Sequence, residues 1–131
     1  MARPKSKKND AGPKTPKKTI EKWVEAFNSR DVPALGELYH PKAVNHQVVN
    51  RPVRGRKAIL SMFQREFAQF EMVCIVENIF EDGEWGMLEW KDPSGLRGCG
   101  FFRVQNGKIL FQRGYWDRMS FLEAQKLPIK A

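Results

Sequence analysis

Three short turn signals cut the second half of the chain into strand-length pieces. "DG" at 82–83, "DPSG" at 92–95 and "NG" at 106–107 separate the runs "EMVCIVENIFE", "EWGMLEWK", "LRGCGFFRV" and "KILFQRGYWDRM". Asn-Gly and Asp-Gly tolerate the positive φ that a tight hairpin requires, so each signal folds the chain back on itself. Four strands joined in this way predict an antiparallel meander.

The first half has a helical period instead. In "TIEKWVEAFNSRD" the apolar residues fall at 20, 23, 24 and 27, the spacing of an amphipathic helix. Asp31 as N-cap and Pro33 restart a short helix, "VPALGELYH", which Pro41 stops. "AVNHQVV" predicts a short strand and "NRPVRG" a loop. "RKAILSMFQREFAQF" sets Ile59, Met62, Phe63 and Phe67 on one stripe of a third helix. "SFLEAQ" closes the chain as a helix, with Ser120 and Glu123 at the spacing of a capping box. Helices first and a meander after give an α+β class: a curved antiparallel sheet wrapped around three N-terminal helices, with an internal pocket between the layers.

The 131 residues suit one domain, and the net charge of +8 is spread unevenly. Residues 1–18 carry Arg3, Lys5, Lys7, Lys8, Lys14, Lys17 and Lys18 against Asp10, a charge of +6 that leaves +2 for the rest. This Lys/Pro-rich segment is expected to be a disordered tail ahead of a domain at 19–131. Its plain role is solubility. The sharper reading is a weak, non-specific contact with nucleic acid or another anionic surface, although no interleaved aromatics are there to stack on bases. No apolar run is long enough to span a bilayer, and the first twenty residues lack the apolar core of a secretory signal. Cys74 and Cys99 lie in strand-like apolar segments and read as reduced, buried thiols. A cytoplasmic protein without membrane association is the expectation.

The chemistry-bearing motifs are mostly missing. There is no G-x-S-x-G, no P-loop, no H-E-x-x-H, no C-x-x-C and no cluster of carboxylates, and the histidines are His40 and His46. Neither a metal nor another cofactor is expected. Any catalysis would be acid–base or electrostatic, from scattered polar side chains.

"WVEAFNSRDVPALGELYHPKAV", "NRPVRGRKAI" and "GCGFFRVQNGKILFQRGYWD" resemble the nuclear transport factor 2-like superfamily, most closely its SnoaL-like branch, over about residues 19–128. Ketosteroid isomerases and limonene-epoxide hydrolases are relatives. The resemblance implies a cone-shaped sheet packed on three helices, a pocket inside it for a small hydrophobic molecule, and a homodimer formed through the outer sheet face. The steroid isomerases' tyrosine, general-base aspartate and protonated aspartate fall on Trp23, Gln47 and Gly100. None of the three can do the corresponding chemistry, so steroid-type isomerisation is not expected. The epoxide hydrolases' tyrosine and asparagine fall on Asn45 and Gln47, their Arg-x-Asp pair on Trp90 and Asp92, and their last aspartate on Gly114. An amide and one carboxylate thus have counterparts; the arginine and the water-activating aspartate do not.

Strand alternation places Gln112, Gly114 and Trp116 on one face, and Gly98, Gly100 and Phe102 on one face of the preceding strand. The same resemblance turns both faces toward the pocket. Glycines inside strands mark the close approach of a ligand, a bulky neighbour such as Trp90, or a bend. Trp23, Trp90 and Trp116 with Phe63, Phe67 and Phe102 would supply an apolar lining, and the amides of Asn45, Gln47 and Gln112 would orient a polar group. Three residues are candidate acid–base groups. Asp117 falls one residue off pocket parity, and its alternative role is to stabilise the start of the last helix. His46 also alternates outward, but a pocket-facing His46–Asp117 pair would be a workable couple. Asp92 opens "DPSG", where a turn role is the alternative. Three functions stay open: a cofactor-independent isomerase, cyclase or hydrolase; a binding protein using the same pocket; or a dimeric interaction module with a basic tail.

Overall fold

The computed structural model describes residues 14–128. Helix α1 spans Pro16–Asn28, α2 Val32–Leu38, α3 Arg56–Gln69 and α4 Arg118–Ala124. The strands are β1 (Tyr39–Gln47), β2 (Val53–Arg54), β3 (Ile75–Asp82), β4 (Trp85–Lys91), β5 (Arg97–Gln105) and β6 (Lys108–Trp116). They form one six-stranded sheet in the order β2-β1-β6-β5-β4-β3. Every pairing is antiparallel except β1 with β6, which run parallel. The α+β arrangement and the hairpin-linked β3–β6 agree with the sequence reading. At the "NG" turn Asn106 and Gly107 both take positive φ, 52° and 75°. Among the described residues no helix is long and apolar enough to cross a membrane.

Helix α1 starts inside the segment expected to be tail; the rest of that expectation, residues 1–13, lies outside the described residues. The Thr15 side chain accepts from the Lys18 amide at 3.2 Å, and Pro16 sits in the first turn, where its missing N–H does no harm. The Lys17 amide donates to the Glu81 carboxylate at 2.9 Å, tying this helix start to β3. Ile20, Trp23 and Phe27 are buried, with Val24 packed at their edge, as the apolar stripe requires. Asp31 caps α2 by accepting from the Ala34 amide at 3.0 Å.

Pro41 does not stop a helix. The helix ends at Leu38 and the strand already begins at Tyr39, so Pro41 lies within β1. The β1–β6 register shifts between Tyr39 and Val44, and a proline without an N–H is tolerated where the ladder is interrupted. Part of the expected loop at 50–55 pairs with β1 as the short strand β2, while Val48 and Val49 belong to a turn. Residues 71–74 are not strand either. The Asn28 side chain takes the place of a neighbouring strand there: its Nδ2 donates to the Cys74 carbonyl at 2.9 Å, and its Oδ1 accepts from the Cys74 amide at 2.8 Å.

The core fills the space between the helices and the concave sheet face. Trp23 stacks on Phe27 with ring centroids 4.9 Å apart and meets Phe102 edge-on at 5.4 Å. Gly98 belongs to this packing. A Cβ there would lie 2.5 Å from the Trp90 ring and 2.8 Å from the Tyr115 carbonyl oxygen, so the glycine marks a close neighbour.

Candidate functional site

A cavity of about 130 Å³ remains between α1, α3 and the concave face of β1 and β4–β6. Residues 71–74 and, from α4, Phe121 and Gln125 complete its lining. The walls include the expected aromatics Trp23, Phe63, Trp90, Phe102 and Trp116. The expected amides Asn45, Gln47 and Gln112 line it as well, and so do Gly100, Gly114 and Asp92.

Three expected residues lie outside the lining. Phe67 packs behind the wall, with its ring 5.7 Å from Phe63 and 5.3 Å from Phe27. His46 falls between Asn45 and Gln47 and alternates to the outer face, where its Nδ1 accepts from Arg113 Nε at 3.2 Å. Asp117 is the N-cap of α4: its carboxylate accepts from the Ser120 amide at 3.0 Å and from the Ser120 hydroxyl. The Ser120 hydroxyl and amide hold the Asp117 carboxyl below its ordinary value. Ser120 is therefore a recipient of the cap and not the capping residue that its spacing to Glu123 suggested. Asp92 borders the cavity, but one carboxylate oxygen closes the "DPSG" turn, accepting from Ser94 N at 2.9 Å, Ser94 Oγ at 2.7 Å and Leu96 N at 2.9 Å.

The polar wall is one continuous hydrogen-bonded chain. Trp116 Nε1 donates to Gln47 Oε1 at 2.8 Å, Gln47 Nε2 to Asn45 Oδ1 at 2.7 Å, and Asn45 Nδ2 to Gln112 Oε1 at 3.2 Å. From the other end, Trp23 Nε1 donates to the Tyr39 hydroxyl at 2.9 Å, and that hydroxyl donates to Gln112 Oε1. Gly114 is what allows Gln47 to reach Trp116. A Cβ at 114 would lie 2.0 Å from Gln47 Oε1, so the side chain that crosses this glycine is a neighbour's. At Gly100 an added Cβ would lie 3.4 Å from the Phe102 ring and 3.6 Å from the Arg113 carbonyl oxygen, ordinary van der Waals contact, so no neighbour requires the glycine there.

Tyr39, in the hydrogen-bonded chain, and Glu66, in the lining, are not anticipated by the sequence pattern. Tyr39 follows "VPALGEL", whose pattern reads as helix. A strand starting at 39 would have put Tyr39, Asn45 and Gln47 on one face by alternation. Burial pushes the Tyr39 phenol well above its ordinary value, against the opposing donors Trp23 and Asn45. Glu66 follows Met62 and Phe63 at helical spacing, so it shares the apolar face of α3, and it lines the cavity. Among the described residues it makes no salt bridge. Burial pushes its carboxyl above the ordinary value, and the charge of Arg65 only partly offsets this. Cys74, also in the lining, is pushed up to about 12 by burial and is not a thiolate nucleophile. Among the described residues no three His, Cys, Asp or Glu side chains are grouped to hold a metal ion.

A family model described as a SnoaL-like domain matches residues 20–111. No curated protein matches the chain. Among solved structures, an LEH-like epoxide hydrolase from M. tuberculosis is similar, with 19% identity, 87% of this chain and 92% of that chain covered, and a TM-score of 0.74. A protein with a ketosteroid isomerase-like fold from Catenulispora acidiphila, in complex with trimethylamine, has 18% identity, coverage of 87% and 95%, and a TM-score of 0.75. A candidate polyketide cyclase from Pseudomonas putida has 16% identity, coverage of 85% and 98%, and a TM-score of 0.76. At these identities the likeness is one of fold: the nuclear transport factor 2-like cone with its internal pocket.

Proposed function

The chain belongs to the SnoaL-like domain family, and on that premise we propose that it is a cofactor-independent enzyme of isomerase, cyclase or hydrolase type acting on a small hydrophobic compound in the cavity. The observation that carries the reading is Glu66, a part-buried carboxylate with a raised pKa on the wall of a mainly apolar cavity. A carboxyl held above its ordinary value exchanges a proton closer to neutral pH, which is the property an acid–base group needs. Asp117, His46 and Asp92 are weaker candidates for that role, because each is committed to a partner described above. A dry apolar cavity of about 150 Å³ takes up benzene, so the enclosed space here suits a group of single-ring size.

The test is a panel of monocyclic epoxides, enones and lactones, with products read by mass spectrometry, for the natural chain and Glu66→Gln. The expected result is turnover of at least one class, reduced about 100-fold or more in the variant while binding persists. Binding with no turnover in either protein would favour the second reading, a ligand-binding protein. The closed amide chain, which commits most polar groups of the wall to one another, supports that alternative.

The protomer is proposed to dimerise through the outer sheet face, where Phe80, Trp85, Met87 and Tyr115 are 56%, 42%, 39% and 43% exposed. Two free cysteines fit a cytoplasmic location.

A further inference from the structure

Two indoles fix the direction of every hydrogen bond in the cavity wall. An indole N–H donates and cannot accept, whereas an amide side chain can be turned over to present either its oxygen or its nitrogen. Trp116 stands at one end of the chain and Trp23 at the other. Because Trp116 must donate, Gln47 must face it with oxygen. The Gln47 nitrogen then donates to Asn45 Oδ1, and the Asn45 nitrogen donates to Gln112. Because Trp23 must donate, the Tyr39 oxygen accepts, and because Gln112 already presents its oxygen, the Tyr39 proton goes to it. Both runs of donors converge on Gln112 Oε1. Turning over any one amide would set donor against donor or oxygen against oxygen.

Gln112 is therefore held with its oxygen saturated and its NH₂ turned away from the chain. That nitrogen is the one polar group of the network with no partner among the described residues, on a side chain only 5% exposed that lines the cavity. A buried donor left unmatched is costly, and a ligand that supplies an acceptor removes the cost. Resting on the reading that the cavity binds a small molecule, we propose that its ligand carries an acceptor oxygen, as in a ketone, ester, lactone or epoxide, held by the Gln112 NH₂. Gln112 thus determines specificity for acceptor-bearing rings.

Cyclohexanone and methylenecyclohexane have nearly the same shape and differ in C=O against C=CH₂. Water solvates the ketone better, so their raw affinities do not isolate the contact; the change on substitution does. Gln112→Met should weaken cyclohexanone about tenfold or more and leave methylenecyclohexane within about twofold. Equal changes for both rings would overturn the proposal, reducing Gln112 to a wall. The substitution also strands the Tyr39 and Asn45 donors, so a second readout uses the natural chain. There the Gln112 side-chain amide protons should move downfield with cyclohexanone and not with methylenecyclohexane; no difference between the rings would again overturn it. If neither ring binds at all, the small-molecule reading itself fails, a result distinct from binding without discrimination.

Discussion

A single carboxylate shows how burial converts into behaviour. The Glu66 carboxyl has a folded pKa above the unfolded value, so the folded state holds its proton longer. Stability from this group therefore falls as pH rises through the ordinary carboxylate range, and the penalty is fully present above the folded pKa. Glu66→Gln should melt higher than the natural chain at pH 7, with the gap closing as pH falls through the raised folded pKa and gone below about 4. A gap independent of pH would mean that the carboxylate is not desolvated. At the opposite end of the network, Tyr39→Phe removes the acceptor of Trp23 and one donor to Gln112, both buried. The expected loss is about 1–3 kcal/mol by denaturant unfolding. Asp117→Ala should lower stability and leave the pocket untouched, because the carboxylate serves the backbone of α4. Parity in β6 already separated Asp117 from Gln112, Gly114 and Trp116 in the sequence. Glu66 was harder to see, because an apolar stripe is counted from its apolar members and a charged residue within it is passed over.

At the level of elements, local turn chemistry was the most legible part. The hairpins at "DG", "DPSG" and "NG" depend on a few residues each, and they fold as those residues dictate. Boundaries set by tertiary partners were not legible. Pro41 looks like a helix stop, yet it sits in a strand whose ladder is interrupted. Residues 71–74 look like strand, yet Cys74 pairs with the Asn28 side chain, 46 residues away in sequence. That substitution of a side chain for a strand gives a further test. Asn28→Ala should leave the α1 helix intact and speed amide exchange at Cys74, as loss of the bond to Asn28 Oδ1 exposes that N–H. Unchanged exchange would show that the segment is held by other contacts. The Thr15 cap is a similar case, and Thr15→Ala should cost about 1 kcal/mol.

For the whole molecule, the sheet separates two surfaces with different work. The concave face, with the helices, encloses the cavity. The convex face carries Trp85 against Phe111 and Phe101 against Tyr115, with ring centroids 6.3 and 6.0 Å apart. If that face is the dimer interface, Trp85→Glu should shift the sedimentation of the protein toward the monomer with little effect in the cavity. The family and the cone were legible through the resemblance of three stretches between residues 23 and 117 to the superfamily, and the α+β element order agrees with it. The nature of the site was not, because it depends on which side chain bonds to which across the sheet: Gln47 over Gly114, and Tyr39 between Trp23 and Gln112.

Uptake of a small molecule by this cavity can be read from the tryptophans. Trp23, Trp90 and Trp116 line the cavity, and Trp85 lies on the outer face. Titration with cyclohexanone, followed through the indole N–H resonances, should move Trp23 and Trp116 saturably while Trp85 stays in place. A ligand of ~7 heavy atoms should bind with a Kd on the order of millimolar. Cavity indoles that do not respond at tens of millimolar, or that move no more than Trp85 does, would show that the cavity does not take up such a molecule.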